Sequence, residues 1–174
     1  SMKLDFEPGT RYSYSNTGFT MLGIVAEKAS GKPFGKLLRE RIFKPFDMPN
    51  TVYDPRETGK GYAQGYSSFA LGPLTPAARE GAGWADAAGA IYSTAPDLLR
   101  WDRALMEGKV LQGEWLALMT RPRVLKDSSV SSYGTGLGIG KIGADTAWAH
   151  TGAVAGFAAQ NFMVPASKSA IVIL

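Results

Sequence analysis

The chain has 174 residues, 45% of them hydrophobic and 20% charged, which is enough for one domain with a hydrophobic core but not for two full domains. It contains no cysteine and only one histidine, which excludes disulfides, thiolate chemistry and a zinc site built from histidines. The net charge of +4 is modest, and no basic tail or RNA-binding aromatic signature accompanies it, so nucleic acid is not an expected partner. The sequence contains no apolar run of about 18 residues, so no membrane span is predicted. No motif in the sequence indicates a cofactor.

Two helices are predicted in the first 45 residues. The first covers residues 17–29, with Asn16 or Ser15 as its cap and Gly31 as its end. Pro33 opens the second helix and Pro45 ends it. Apolar residues at helical spacing support both, and they are Met21, Leu22, Ile24, Val25 and Ala29 in the first helix and Phe34, Leu37, Leu38 and Ile42 in the second.

Residues 46–84 show no periodic pattern and are rich in proline, glycine and aromatic residues. A connection of this length is uncommon in a compact domain and often lines a functional site. A long surface connection fits the same pattern equally well. The aromatic residues in this stretch are Tyr53, Tyr62, Tyr66 and Phe69.

A third helix is predicted to begin at Thr94, whose hydroxyl suits a helix cap, with Asp97 as the acidic partner of a capping box. It ends at Gly108, and a shorter helix follows at residues 115–119 before Arg121-Pro122. The apolar face of the third helix comprises Leu98, Trp101, Leu105 and Met106.

The chain then becomes rich in glycine, alanine and β-branched residues, which predicts strands near residues 135–142, 146–151, 157–164 and 169–174. Connections this short make neighbouring strands antiparallel. The last strand is fully apolar, which implies cover on both faces. We therefore expect one α+β domain over residues 1–174, with a helical and loop part at 8–130 and antiparallel strands at 133–174.

Two stretches are candidates for a functional site. Tyr14 and Asn16, two residues apart in an extended segment, place a phenol and an amide on one side of the chain. A helix cap and a half-buried aromatic ring would explain the same two residues.

The second stretch is His150-Thr151-Gly152 on a predicted strand. Gly152 would let a substrate lie close to the backbone, and the next N–H, that of Ala153, could stabilise an oxyanion. A histidine with a purely structural role is the alternative.

Taken together, these motifs resemble those of the serine β-lactamase and DD-peptidase superfamily, which includes class C β-lactamases, D-alanyl-D-alanine carboxypeptidases and β-lactamase-like esterases. The resemblance runs in order over nearly the whole chain. The matching segments are Pro8-Gly9, Tyr14-Ser15-Asn16, Gly31, Pro45-Phe46-Asp47-Met48 with Thr51, Ala88-Gly89-Ala90, Ser93-Thr94, Asp97-Leu98, His150-Thr151-Gly152 and Gly156-Phe157.

The resemblance implies roles for these residues. Tyr14 would move protons to and from the nucleophile or the leaving group, and Asn16 would bind the acyl side chain of the substrate. His150 stands where many β-lactamases have lysine, so it would be a weaker cation at neutral pH. Thr151 would bind a substrate carboxylate beside Gly152, and the Ala153 N–H would be one oxyanion donor.

The family nucleophile is the serine of Ser-x-x-Lys, and no serine in this sequence has a lysine three residues later. The resemblance therefore implies an incomplete β-lactamase/transpeptidase-like unit that lacks the nucleophile helix and the terminal helices. We expect a hydrolase of β-lactams, D-alanyl peptides or esters that is inactive alone, without turnover of nitrocefin or p-nitrophenyl esters. A non-catalytic ligand-binding or interaction module is the alternative, and an unrelated Ser-His-Asp hydrolase using His150 ranks below both.

The expected partners are a small-molecule or peptide-like substrate, once the site is complemented, and a second copy of the chain. Sheet surface left uncovered would favour a homo-oligomer or swapped dimer in which another copy covers residues 169–174. Members of the superfamily are often periplasmic or secreted, and the residues themselves do not indicate a compartment.

Overall fold

The computed structural model describes residues 3–55, 61–78 and 80–174. Its longer helices agree closely with the predicted ones, and a short helix at residues 86–89 was not predicted. They are α1 (Asn16–Ser30), α2 (Phe34–Leu38), which continues as a π-helical turn (Arg39–Phe43), α3 (Asp86–Gly89), α4 (Ala95–Met106) and α5 (Gly113–Thr120). None of the helices in the described part of the chain has the length and apolar character needed to cross a bilayer.

Four short strands form two small antiparallel ladders, and four longer strands form the main sheet. The short strands are β1 (Val52–Tyr53) with β4 (Ile91–Tyr92), and β2 (Tyr66–Ser67) with β3 (Thr75–Pro76). The main sheet has the order β5-β6-β7-β8 and consists of β5 (Gly138–Ile142), β6 (Asp145–Val154), β7 (Phe157–Val164) and β8 (Ser169–Ile173). All pairs are antiparallel, which confirms the predicted α+β class with a helical part followed by an antiparallel sheet.

The third helix of the sequence prediction, α4, joins the two hydrophobic clusters. Its first half contributes Leu98 and Trp101 to a cluster around Leu38, Phe43 and Met48. Its second half contributes Leu105, which packs with Leu137, Trp148 and Met163 on one face of the main sheet. The predicted apolar face of this helix is therefore divided between two cores.

The predicted capping box at the start of α4 is half wrong. Thr94 does cap the helix, and its hydroxyl accepts a hydrogen bond from the Asp97 N–H at 3.4 Å. The Asp97 carboxylate is fully buried and instead accepts hydrogen bonds from the Asn50 N–H at 2.7 Å and the Thr51 hydroxyl at 2.9 Å. A buried charge needs strong donors, and the loop before β1 supplies them.

The apolar side chains of α1 lie on its outer surface. Only Gly23 of this helix is buried, and a Cβ at that position would come within 2.5 Å of the Ala87 Cβ on α3. The helix thus packs through its smallest residue, which lets α3 approach closely. The exposed apolar residues of α1 are Met21, Leu22, Ile24 and Val25.

The prediction that the last strand is covered on both faces is wrong for the described residues. Ala170 packs against the cluster beside α4, whereas Ile171 and Ile173, on the other face of β8, are 58% and 61% exposed. β8 is also an edge strand, paired only with β7. One helical layer covers one face of the sheet, and the second face carries exposed apolar side chains.

Candidate active site

The structure brings the two predicted site segments together. The Tyr14 ring lies 6.0 Å from the His150 ring, centroid to centroid, although the residues are far apart in sequence. Tyr14 comes from the extended segment before α1, and His150 comes from the interior of β6. We expected His150-Thr151-Gly152 at the end of a strand near residue 151, but β6 continues to Val154 because β7 pairs with it that far.

The cap of α1 is now assigned to one residue. The Ser15 side chain accepts a hydrogen bond from the Gly18 N–H at 3.1 Å, so Ser15 is the cap. Asn16 is the first helical residue, and its exposed amide has no hydrogen bond to the described residues. Tyr14 is 47% exposed. Capping therefore does not explain Asn16, whereas Tyr14 is a half-buried aromatic ring, as the alternative interpretation required.

Sequence reasoning missed Tyr133, which completes the aromatic cluster. Its hydroxyl lies 2.8 Å from the Nε2 atom of His150, and its ring contacts Tyr14 edge-on at 6.0 Å and Tyr12 at 5.4 Å. The signal in the sequence was an aromatic residue in the glycine-rich turn directly before the strand that pairs with β6.

Burial, followed by the neighbouring phenols of Tyr14 and Tyr12, raises the pKa of Tyr133 to about 12. Burial and Tyr14 also raise the pKa of Tyr12. These two phenols therefore keep their protons at neutral pH, and the cluster holds hydroxyl donors instead of phenolates.

Backbone geometry decides which edge of β6 is free. β6 and β7 are joined by the two-residue turn Ala155-Gly156, and Val154 pairs with Phe157 at its base. The pair that closes a two-residue hairpin is hydrogen-bonded, and such pairs alternate along the strands. The even-numbered residues of β6 therefore bond to β7, and the odd-numbered residues direct their N–H and C=O groups to the other edge.

That other edge is covered by β5 only as far as Ala149, which pairs with Gly138. Beyond it, the N–H and C=O groups of Thr151 and Ala153 point to an edge that no strand of the described structure covers. A substrate backbone can pair with such an edge as an added strand would. The Ala153 N–H points to this free edge.

The side chains of His150 and Thr151 emerge on opposite faces of the sheet, as neighbours in a strand do. His150 lies on the α4 side with Asn161, its register partner on β7, while Thr151 is exposed. The structure thus places the His150 side chain beside Tyr14. Thr151 faces the candidate site through its backbone N–H and C=O groups, at the free edge of β6.

Gly152 has no packing reason to be glycine. A Cβ built there would make only an ordinary contact of 3.7 Å with the Ala159 Cβ. By contrast, a Cβ at Gly134 would lie 2.2 Å from the Met119 carbonyl oxygen, so that glycine is required by the fold. At Gly152 the open space beside the strand is available to a ligand.

Part of the long 46–84 connection borders this edge. Its β2–β3 hairpin packs against the β6–β7 turn, where a Cβ at Gly65 would come within 2.5 Å of the Phe157 ring. The Ala155 N–H also donates to the Glu80 carboxylate at 3.4 Å. Residues 56–60 and 79 of the connection lie outside the described residues. The hairpin therefore contacts the β6–β7 turn, and the lining of the site by this stretch stays a prediction.

Comparisons with known proteins identify the family of the chain. The family model described as Beta-lactamase matches residues 1–174. A D-aminopeptidase of Gluconobacter oxydans is 26% identical over 173 residues, which cover 98% of this chain and 32% of the relative. A D-aminopeptidase of Brucella ovis is 27% identical over 157 residues, which cover 90% of this chain and 30% of the relative.

Two solved structures have the same fold. The D-stereospecific amidohydrolase from Streptomyces sp. superposes with a TM-score of 0.85 at 28% identity, over 98% of this chain and 52% of that chain. The D-amino acid amidase from Ochrobactrum anthropi SV3, complexed with D-phenylalanine, gives a TM-score of 0.77 at 25% identity, over 96% of this chain and 51% of that chain. The chain therefore spans about a third of these curated relatives and about half of these solved ones. With a family model that matches its full length, the chain belongs to the β-lactamase family.

Proposed function

We propose that this chain supplies the substrate-binding and proton-transfer side of an acyl-serine hydrolase site for D-amino acid amides or D-aminoacyl peptides. The observation that carries the proposal is the packing of Tyr14 against His150 beside the uncovered edge of β6. The relatives named above support the substrate class, since they are D-aminopeptidases, a D-amino acid amidase and a D-stereospecific amidohydrolase. This class is narrower than the β-lactams, D-alanyl peptides and esters expected from the sequence.

In the proposed mechanism, the acyl part of the substrate lies along the edge formed by Thr151 and Ala153. The Ala153 N–H donates to the carbonyl oxygen as negative charge develops on it. The Tyr14 phenol gives its proton to the leaving amine and takes up the proton that the attacking serine hydroxyl releases, and the exposed Asn16 amide holds the acyl side chain. The nucleophile comes from a segment with Ser-x-x-Lys, either in the same polypeptide or in a partner.

The 174 residues alone should show neither turnover nor acylation, because no serine in them is followed by lysine three residues later. We expect no hydrolysis of D-phenylalanine p-nitroanilide, nitrocefin or p-nitrophenyl esters above buffer, and no mass increase after incubation with a fluorescent penicillin. Turnover that Tyr14→Phe abolishes, or a penicilloyl adduct on any serine, would contradict the proposal. The heat-unfolded chain is the control for non-specific acylation.

A role as an interaction module is the second candidate, and it is favoured by the exposed apolar side chains on β8. Ile171 and Ile173 lie on the open face of β8, whose outer side is paired to no strand of the described structure, and such a surface tends to associate. We propose that a second copy of the chain covers this strand.

Light scattering at high micromolar concentration should give a dimer or larger species, and Ile171→Lys should reduce it to a monomer. Val124→Lys, at an exposed site outside the main sheet, is the control, and a monomeric native chain would exclude the proposal.

A further inference from the structure

The hydrogen bonds of His150 define its protonation pattern. The Nδ1 atom lies 2.7 Å from the Thr151 carbonyl oxygen. A carbonyl oxygen can only accept a hydrogen bond, so Nδ1 must carry a proton. In the neutral imidazole only one nitrogen is protonated, and Nε2 is then an acceptor. The hydroxyl 2.8 Å from Nε2, that of Tyr133, is the donor to it.

The same two contacts hold if the imidazole is charged, because the phenol oxygen can also accept a hydrogen bond from Nε2. Nδ1 therefore keeps its proton in both charge states. Both ring nitrogens are engaged within the chain, and His150 cannot bind a substrate carboxylate without losing one of these bonds. This differs from the anchoring role that a lysine at the same position would have.

The other groups around the imidazole leave this arrangement undisturbed. The Tyr14 ring lies 6.0 Å from the imidazole, centroid to centroid, in a tilted aromatic contact. Asn161 is the register neighbour of His150 on β7. The Asn161 amide is directed to Asp102 on α4, to which its Nδ2 donates at 2.6 Å. Tyr133 is thus the side chain of the described structure that bonds directly to an imidazole nitrogen.

We propose that Tyr133 is a positioning residue, which holds His150 in the Nδ1–H tautomer and thereby keeps the imidazole bonded to the Thr151 carbonyl at the free edge of β6. In this arrangement the hydrogen bond from His150 holds the Thr151 carbonyl in place at the edge that would receive the substrate. The Tyr133 hydroxyl thereby links the loop before β5 to that edge.

The test uses the fact that His150 is the only histidine among the 174 residues. A long-range ¹H–¹⁵N correlation spectrum of the native chain, recorded at about pH 8, above the ordinary range for histidine, reports one imidazole without ambiguity. We expect a protonated Nδ1 and an unprotonated Nε2, together with an NOE between the Tyr133 hydroxyl proton and the imidazole. Tyr133→Phe keeps the ring and removes the donor, so the Nε2–H population should rise from undetectable to a substantial fraction.

Tyr12→Phe is the matched control, because it removes another hydroxyl of the same cluster and should leave the tautomer unchanged. A native chain in the Nε2–H tautomer would overturn the proposal whether or not the variant folds. An unchanged tautomer in folded Tyr133→Phe would overturn it as well. The measurement needs no catalysis, so its result is independent of the proposed hydrolase activity.

Discussion

Replacing Asp97 by Asn should lower the free energy of unfolding by about 2 to 3 kcal/mol. The fully buried carboxylate accepts from the Asn50 N–H, the Thr51 hydroxyl and the Arg100 guanidinium, the last at 2.7 Å. An asparagine keeps one acceptor oxygen and turns an NH₂ group toward the donors on one side. Whichever way the amide is oriented, a donor then faces a donor, and a buried hydrogen bond to a charged group is lost.

Urea unfolding followed by tryptophan fluorescence measures this change, since the chain contains four tryptophans. Arg100 is partly exposed and can turn to water, so Arg100→Ala should cost less than Asp97→Asn. If both variants lost the same free energy of unfolding, the stability would come from the ion pair with Arg100 and not from the hydrogen bonds to the loop before β1. A change below about 0.5 kcal/mol for Asp97→Asn would refute the prediction.

The same substitution five residues later should have the opposite effect. Asp102 is also fully buried, but its one hydrogen bond comes from the Asn161 amide, and Asp102 Oδ2 and Asn161 Oδ1 have no partner among the described residues. Asparagine at position 102 removes the buried charge. We expect Asp102→Asn to stabilise the chain by about 2 kcal/mol at neutral pH.

The effect of Asp102→Asn should depend on pH. Burial raises the pKa of Asp102 from its ordinary 3.8 to about 6, although the hydrogen bond from Asn161 lowers it. The folded state therefore binds this proton more tightly than the unfolded state. The stabilising contribution of protonated Asp102 is present below about pH 4 and is lost as the pH rises through about 6.

Paired urea titrations of the native chain and Asp102→Asn, from about pH 4 to about pH 8, measure this dependence. The advantage of the variant should be small at the acid end, grow by about 2 to 3 kcal/mol as the pH rises from about 4 to about 6, and stay level above that. Taking the difference between the two proteins removes the contribution of every other titrating group. A difference that is constant with pH, or that shrinks as the pH rises, would show that Asp102 is not a destabilising buried charge.

The sequence predicted the longer helices and the four strands of the main sheet well because their signals are local, but it did not predict the short helix α3 or the two-residue strands β1 to β4. Helical spacing and the prolines and glycines around α1, α2 and α4 mark their bounds, and turn residues mark β7 and β8. Burial was predicted less well because it depends on which elements meet. The periodic apolar residues of α1 gave no sign that Gly23 would be its contact with α3. The apolar composition of β8 could not show that only one face has a helix beside it.

The candidate site was predicted in part. Motif spacing indicated Tyr14, Asn16 and His150, and the structure places the Tyr14 and His150 rings together. The roles of these residues, and those of Thr151, Gly152 and Ala153, stay predictions. The sequence did not indicate Tyr133, because its hydrogen bond to His150 joins two elements and leaves no local sequence pattern. Asp97 illustrates the same limit, since its capping spacing is real but its carboxylate bonds to a loop 47 residues away.

Binding of D-phenylalanine amide to the free edge of β6 is the most direct test of the central claim. In ¹H–¹⁵N spectra of the native chain, the amide should shift the backbone signals of Thr151 and Ala153 and the imidazole of His150, and L-phenylalanine amide should shift them less. Gly152→Val should keep the fold, because a Cβ there meets only an ordinary contact, and should abolish the shifts. Shifts confined to another surface, or equal shifts in Gly152→Val, would contradict the assignment of this edge as the substrate-binding side of the site.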